Sequence, residues 1–237
     1  MNRSNRLAAI KDRLGAIRAR DVGREVIATT VGVDLRLRTL HEWFTGSTNS
    51  HGGDWSPCVL PLLDVAARGV THGHVSRVVW IGRRVFPYPP AFAHCNRLLH
   101  ASIFVDPPNA AARLWAIDLA LRATAPIAVI ADGQGLTLPS TRRLQLAASA
   151  GRGIGLLARP STESHTLSAA TTRWRVEPRR TTNTHVGWTL TLLRHKDFPT
   201  LTDDARACTV EWNDGLVAVP ALVVGRAGDS SSWLASA

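Results

Sequence analysis

The chain has 237 residues, 45% of them hydrophobic, and its 28 basic against 18 acidic side chains give a formal charge of +10. No apolar run reaches the roughly 18–20 residues of a membrane-spanning helix, so a soluble cytoplasmic protein with one sizeable core and no membrane contact is expected. The three cysteines, Cys58, Cys95 and Cys208, are odd in number and far apart, which excludes a disulfide framework or zinc ribbon. "HGH" at 72–74 has no further ligand at zinc spacing, so no metal is expected. The positive balance favours nucleic acid or an acidic protein surface as partner.

Residues 1–25 read as a basic amphipathic helix. Leu7, Ile10, Leu14 and Ile17 recur at steps of three and four on one stripe, with Arg3, Arg6, Lys11, Arg13 and Arg20 around it. The charges that interrupt this stretch argue against a secretory signal. Residues 26–224 form the core domain, where strands and helices alternate. "LRTLHEWF" (37–44) reads as a strand, a Gly/Ser loop follows, and a helix is expected near 57–68. "VSRVVWIG" (75–82) and "IAVIAD" (127–132) are short apolar runs of the kind buried strands show. Between them "ASIFVDPPNAAARLWAIDLALRA" holds a strand and then a helix. Asp106 is its expected cap, Pro107 its first-turn residue, and Leu114, Ile117 and Leu121 its buried face.

"STRRLQLAASAG" (140–151) predicts a helix capped by Ser140 or Thr141 and stopped by Gly151, and "IGLLAR" (154–159) predicts another strand. Such alternation specifies an α/β fold with a mainly parallel sheet flanked by helices on both faces. The pattern then changes. "TTRWRVEP", "GWTLTLLRH" and "ACTVEW" alternate with period two and predict an antiparallel C-terminal extension. Residues 225–237 are a Gly/Ser-rich tail, expected to be mobile, with Trp233 as a possible anchor.

"LHEWF" (40–44), "VVWIGRRVFPYP" (78–89), "IFVDPPNAAARLWAIDLALR" (103–122), "ADGQGL" (131–136), "TRRLQLAASAG" (141–151), "LLARP" (156–160), "SAATTRWRV" (168–176) and "LTLLRHK" (190–196) stand in an order that resembles the ImuA family. ImuA proteins are accessory proteins of SOS-induced mutagenesis, themselves similar to the core of the RecA recombinase. The resemblance covers roughly residues 37 to 212. It implies a RecA-like fold and a part in error-prone translesion synthesis. The implied partners are an ImuB-like polymerase homologue, RecA and an error-prone replicative-type DNA polymerase.

A RecA-type ATPase needs a Gly-rich loop, a Lys followed by a hydroxyl, an acidic strand end and a water-orienting Glu. Gly46, Gly52 and Gly53 supply the loop, and Asp132 matches the acidic strand end. The Lys is missing: Lys11 and Lys196 are the only lysines and neither follows the loop, where Asp54 stands instead. Gly82, Arg83 and Arg84 follow "VVWI" where the Glu is needed. The expectation is a degenerate nucleotide site without catalytic residues or cofactor, in which Arg83 or Arg84 is the one available substitute cation.

Ten basic and two acidic residues lie between Arg142 and Lys196. In the recombinase, the loops after the corresponding strands hold single-stranded DNA. Arg142, Arg143, Arg159, Arg173 and Arg175 are therefore candidate phosphate contacts, the competing reading being that they pair within the chain. Partner docking falls to Leu7, Ile10, Leu14, Ile17 and Trp233. The alternatives to an adaptor in lesion bypass are a SulA-like cell-division inhibitor and a residual ATP-binding RecA-like ATPase.

Overall fold

Runs too apolar to face water on either side dictate the centre of this molecule. The computed structural model describes residues 26–27, 34–45, 55–92, 96–179, 186–197, 207–212 and 216–219. Two short strands, β1 (Val26–Ile27) and β2 (Leu35–Arg36), pair antiparallel with each other. All other described strands join one nine-stranded sheet. They are β3 (Leu40–Thr45), β4 (Arg77–Ile81), β5 (Ser102–Val105), β6 (Ile127–Asp132), β7 (Ile154–Pro160), β8 (Thr172–Arg179), β9 (Gly187–His195), β10 (Ala207–Trp212) and β11 (Leu216–Val219). Their spatial order is β5-β4-β6-β7-β3-β8-β9-β10-β11. The first six are mutually parallel and the last three run antiparallel.

The expected α/β class, parallel block and antiparallel extension are all present. One strand changes category. "TTRWRVEP" becomes β8, which pairs parallel with β3 and antiparallel with β9, so it joins the two parts of the sheet. Its Trp174 and Val176 are buried on one face, and Trp174 stacks on Trp43 at 5.7 Å.

Among the described residues four helices cover the sheet: α1 (Val59–Thr71), α2 (Asn96–Ala101), α3 (Ala110–Leu121) and α4 (Leu138–Ala150). Because side chains alternate along a strand, β4 sends Val78 and Trp80 into a core with α1 and α2, and Val79 and Ile81 into a second core with α3 and α4. β6 divides in the same way, Ala128 and Ile130 against Val129 and Ala131. Helices therefore lie on both faces, as the alternation predicts.

The helix starts differ from expectation. α3 is capped by Asn109, whose side chain accepts from the Ala112 N–H at 2.9 Å, while Asp106 instead accepts from Arg83 Nη2 at 2.8 Å. Pro107 lies two residues before the cap, outside the helix. α4 begins earlier, with Thr137 as cap and a Pro in its first turn. Gly151 does end it, and it cannot be replaced there: a Cβ would come within 2.0 Å of the Leu121 carbonyl oxygen.

Candidate functional site

In a parallel sheet, ligands approach the carboxyl ends of the strands. β4 ends at Ile81, β6 at Asp132 and β7 at Pro160, and the residues just beyond them define this rim. Gly82 leaves β4 with φ 96°, a conformation reserved for glycine, and a Cβ there would stand 3.0 Å from Asp132 Cβ. The chain can thus turn across the end of β6, and this brings Arg84 onto the Asp132 carboxylate.

Asp132 is buried, and both of its oxygens are engaged. Oδ2 accepts from Arg84 Nη1 at 3.4 Å and from Arg113 Nη1 at 3.3 Å, while Oδ1 accepts from the Gln134 N–H at 2.9 Å. Arg113 also donates to the Gln134 carbonyl at 2.8 Å, and Trp55 Nε1 donates to Gln134 Oε1 at 2.8 Å. The strand-end acid is therefore held by two internal guanidinium groups. Arg83 is engaged elsewhere, on Asp106. Gly46, Gly52 and Gly53 lie outside the described residues, as do Leu7, Ile10, Leu14, Ile17 and Trp233.

The five candidate DNA arginines part company. Arg159 and Arg173 are not surface groups: both are buried, and they close on the buried Glu42, with Arg159 Nη1 at 2.6 Å from Oε1 and Arg173 Nε at 2.8 Å from Oε2. Arg159 Nη2 also reaches Glu163 Oε2 at 2.6 Å, and both guanidinium groups lie over the buried Phe44 ring. Arg143 Nε pairs with Asp118 Oδ1 at 3.1 Å, beside Arg122 on the same carboxylate. Burial pushes the Asp118 carboxyl up, but hydrogen bonds from Arg122 and Arg143 outweigh this and hold it below its ordinary value. For these three, the competing reading of internal pairing describes the geometry. Arg142 is exposed and Arg175 half-buried, and neither takes part in an ion pair among the described residues.

Other chemistries find little support among the described residues. No group of three or more His, Cys, Asp or Glu is placed to hold a metal, and His72 and His74 only approach each other, with ring centroids 6.2 Å apart. Burial pushes the Cys58 thiol up to about 12 and Cys208 up to about 11, far from a nucleophilic thiolate. No described helix is long and apolar enough to cross a membrane.

Sequence reasoning missed Arg113, Arg194 and the groove that Arg142 lines. Arg113 lies one turn into α3, and only the packing of that helix on β6 brings it to Asp132. The groove left a faint signal: Leu138, Arg142, Gln145 and Leu146 follow helical spacing on the outer side of α4. The open edge also went unnoticed. Among the described residues β5 pairs with β4 alone, its Ile103 is 48% exposed, and α3 on the same side of the sheet shows Trp115 at 60% and Leu119 at 55%. No protein-family model matches this chain, and no curated protein matches it in sequence.

Proposed function

We propose that this chain is a non-catalytic, RecA-like accessory protein of SOS-induced translesion synthesis, of the ImuA kind. It acts in the cytoplasm as an adaptor between an ImuB-like polymerase homologue, an error-prone replicative-type polymerase, RecA and DNA. The ordered motifs over residues 37 to 212 motivate the family, and a parallel sheet with an antiparallel extension is the architecture that family calls for.

One observation carries the non-catalytic part. The carboxylate that a RecA-type ATPase offers to its metal is engaged here by Arg84, Arg113 and the Gln134 N–H. A metal would have to displace two cations, while the sequence provides neither the phosphate-loop Lys nor the Glu. What the scaffold still offers is surface, including exposed Trp115, Leu119 and Ile103 beside an open strand edge.

Two measurements test the reading. The purified chain with ATP and magnesium releases phosphate no faster than buffer, and Asp132→Ala leaves that rate unchanged. Sustained release that Asp132→Ala abolishes ends the non-catalytic account. Pull-down from DNA-damaged cells recovers the polymerase homologue and RecA. Recovery of a division protein instead favours the SulA-like alternative.

A further inference from the structure

A groove of about 430 Å³ runs between the outer side of α4 and the end of β9, within the range of small-ligand clefts. Leu138, Arg142, Gln145 and Leu146 form the helical wall, and Ser168, Ala169, Arg194 and Lys196 form the other. The walls are tied together. Gln145 Oε1 accepts from the Leu40 N–H at 3.0 Å, and Thr141 Oγ1 accepts from the Ala169 N–H at 3.1 Å. Ser168 Oγ donates to the buried Glu42 at 2.8 Å, and Arg194 Nη2 donates to the carbonyls of Ser168 and Ala170. The shape is thus fixed by the sheet below it and costs little to hold ready for a ligand.

Among the described residues its charge has one sign: three cations line it and no acid does. Glu42, which Ser168 meets, is used by Arg159 and Arg173, and Asp197, next to Lys196 in the chain, is used by Arg36 at 2.8 Å. Arg142 and Lys196 are exposed and have no ion pair among the described residues. Alongside these charges stands Leu146, 67% exposed, and Leu167 beside the groove wall is 72% exposed. Among the described residues no aromatic ring lines the groove to serve as the stacking platform that single strands use. Cations interleaved with exposed leucines, without rings, fit carboxylates and aliphatic side chains better than phosphates and bases.

We propose that this groove binds an acidic, leucine-bearing segment of a partner protein, its carboxylates on Arg142, Arg194 and Lys196 and its aliphatic side chain on Leu138 and Leu146. The proposal rests on the adaptor reading only in taking the ligand to be a protein. Its failure leaves the sheet edge and the silent nucleotide site as they are.

Fluorescence anisotropy on the full chain tests it, with a labelled short peptide rich in Asp and Leu, its Asn-for-Asp analogue and labelled oligothymidine as probes. The Asp peptide binds, the Asn analogue binds at least about tenfold more weakly, and Arg142→Glu with Lys196→Glu costs about tenfold or more. Leu146→Ser weakens the Leu peptide but not a Ser-for-Leu version, a coupling that unfolding cannot imitate. Circular dichroism of each variant matches the parent, because all three positions are exposed. Three outcomes overturn the proposal: no peptide binding at low salt, equal binding by the charge-reversed variant, or loss of oligothymidine binding alone on charge reversal. The last assigns the groove to nucleic acid.

Discussion

Glu42 on β3 lies directly opposite Arg173 on β8 and receives Arg159 from β7 on its other side, at 2.8 and 2.6 Å. One buried carboxylate therefore holds together three neighbouring parallel strands. Ser168 Oγ supplies a further hydrogen bond to it, and Phe44 lies beneath the two guanidinium groups. Arg173 Nη2 has no partner among the described residues, so its side of the clamp is the less well satisfied.

Removing the shared partner leaves buried Arg173 without its carboxylate and Arg159 with Glu163 alone. Glu42→Ala is expected to destabilise the fold by about 3–5 kcal/mol, a large part of the ~5–15 kcal/mol available to a domain. Glu42→Gln keeps an acceptor and loses less. Urea denaturation of the three proteins checks the order, and equal midpoints for parent and Glu42→Ala would refute the clamp.

The same geometry separates the candidate DNA residues. Arg159→Ala lowers stability, whereas Arg142→Ala stays within about 0.5 kcal/mol of the parent because its side chain is exposed. A drop in DNA affinity in Arg159→Ala that recovers on mild cooling reports unfolding. If Arg159→Ala melts with the parent, that residue is not the internal anchor described.

His41 makes stability depend on pH. Its ring is buried between Thr39 and Thr172, 2.8 Å from each hydroxyl, and also meets the Arg36 carbonyl. Burial, with smaller contributions from His195 and Arg36, lowers its pKa to about 4 from the usual 6.5, although the Arg36 carbonyl opposes this. The unfolded chain therefore takes the proton first. His41's contribution is complete above pH 6.5 and is lost as pH falls toward 4, on the order of 3 kcal/mol in all. His195, lowered mainly by burial, adds in the same direction. Unfolding free energy measured across this window falls with acid, and the slope shrinks in His41→Gln. A parent protein equally stable at pH 4 and 7 contradicts the assignment.

At the rim, Gly82→Ala meets a positive φ and a contact with Asp132 Cβ at 3.0 Å. A cost of about 1–3 kcal/mol is expected, with the Arg84–Asp132 pair disturbed. Thermal melting checks it, and an unchanged or raised Tm shows that the turn relaxes freely.

The start of α3 gives a local test. Asn109→Ala loses the hydrogen bond to the Ala112 N–H and about 1 kcal/mol. Asp106→Ala breaks only an exposed pair, whose Arg83 side chain is 84% accessible, and changes stability by no more than ~0.5 kcal/mol. The reverse ranking would restore Asp106 as the cap.

Periodicity was enough to place five of the six parallel strands and three of the four described helices, but it put β8 in the antiparallel extension. Continuous runs such as "IAVIAD" cannot face water on either side, and the stripe of Leu114, Ile117 and Leu121 needs a core. Helix starts were legible only to within three or four residues, and the reading failed where two residues competed for one role. Asp106 and Asn109 both suit a cap, and Arg83 drew Asp106 away. The count of lysines alone showed that none follows the Gly/Ser loop.

What the linear chain could not convey was which arginines face inward. Arg142, Arg159 and Arg173 read alike along the sequence, because a guanidinium's partner is set by contacts far along the chain. Glu42 lies more than a hundred residues from both Arg159 and Arg173, and only the placing of β3 between β7 and β8 brings it to them. The packing of α3 on β6 likewise sends Arg113 to Asp132, and the placing of α4 leaves Arg142 facing a groove. Composition fixed how much charge there is; the tertiary structure decided which charges neutralise one another and which remain for a partner.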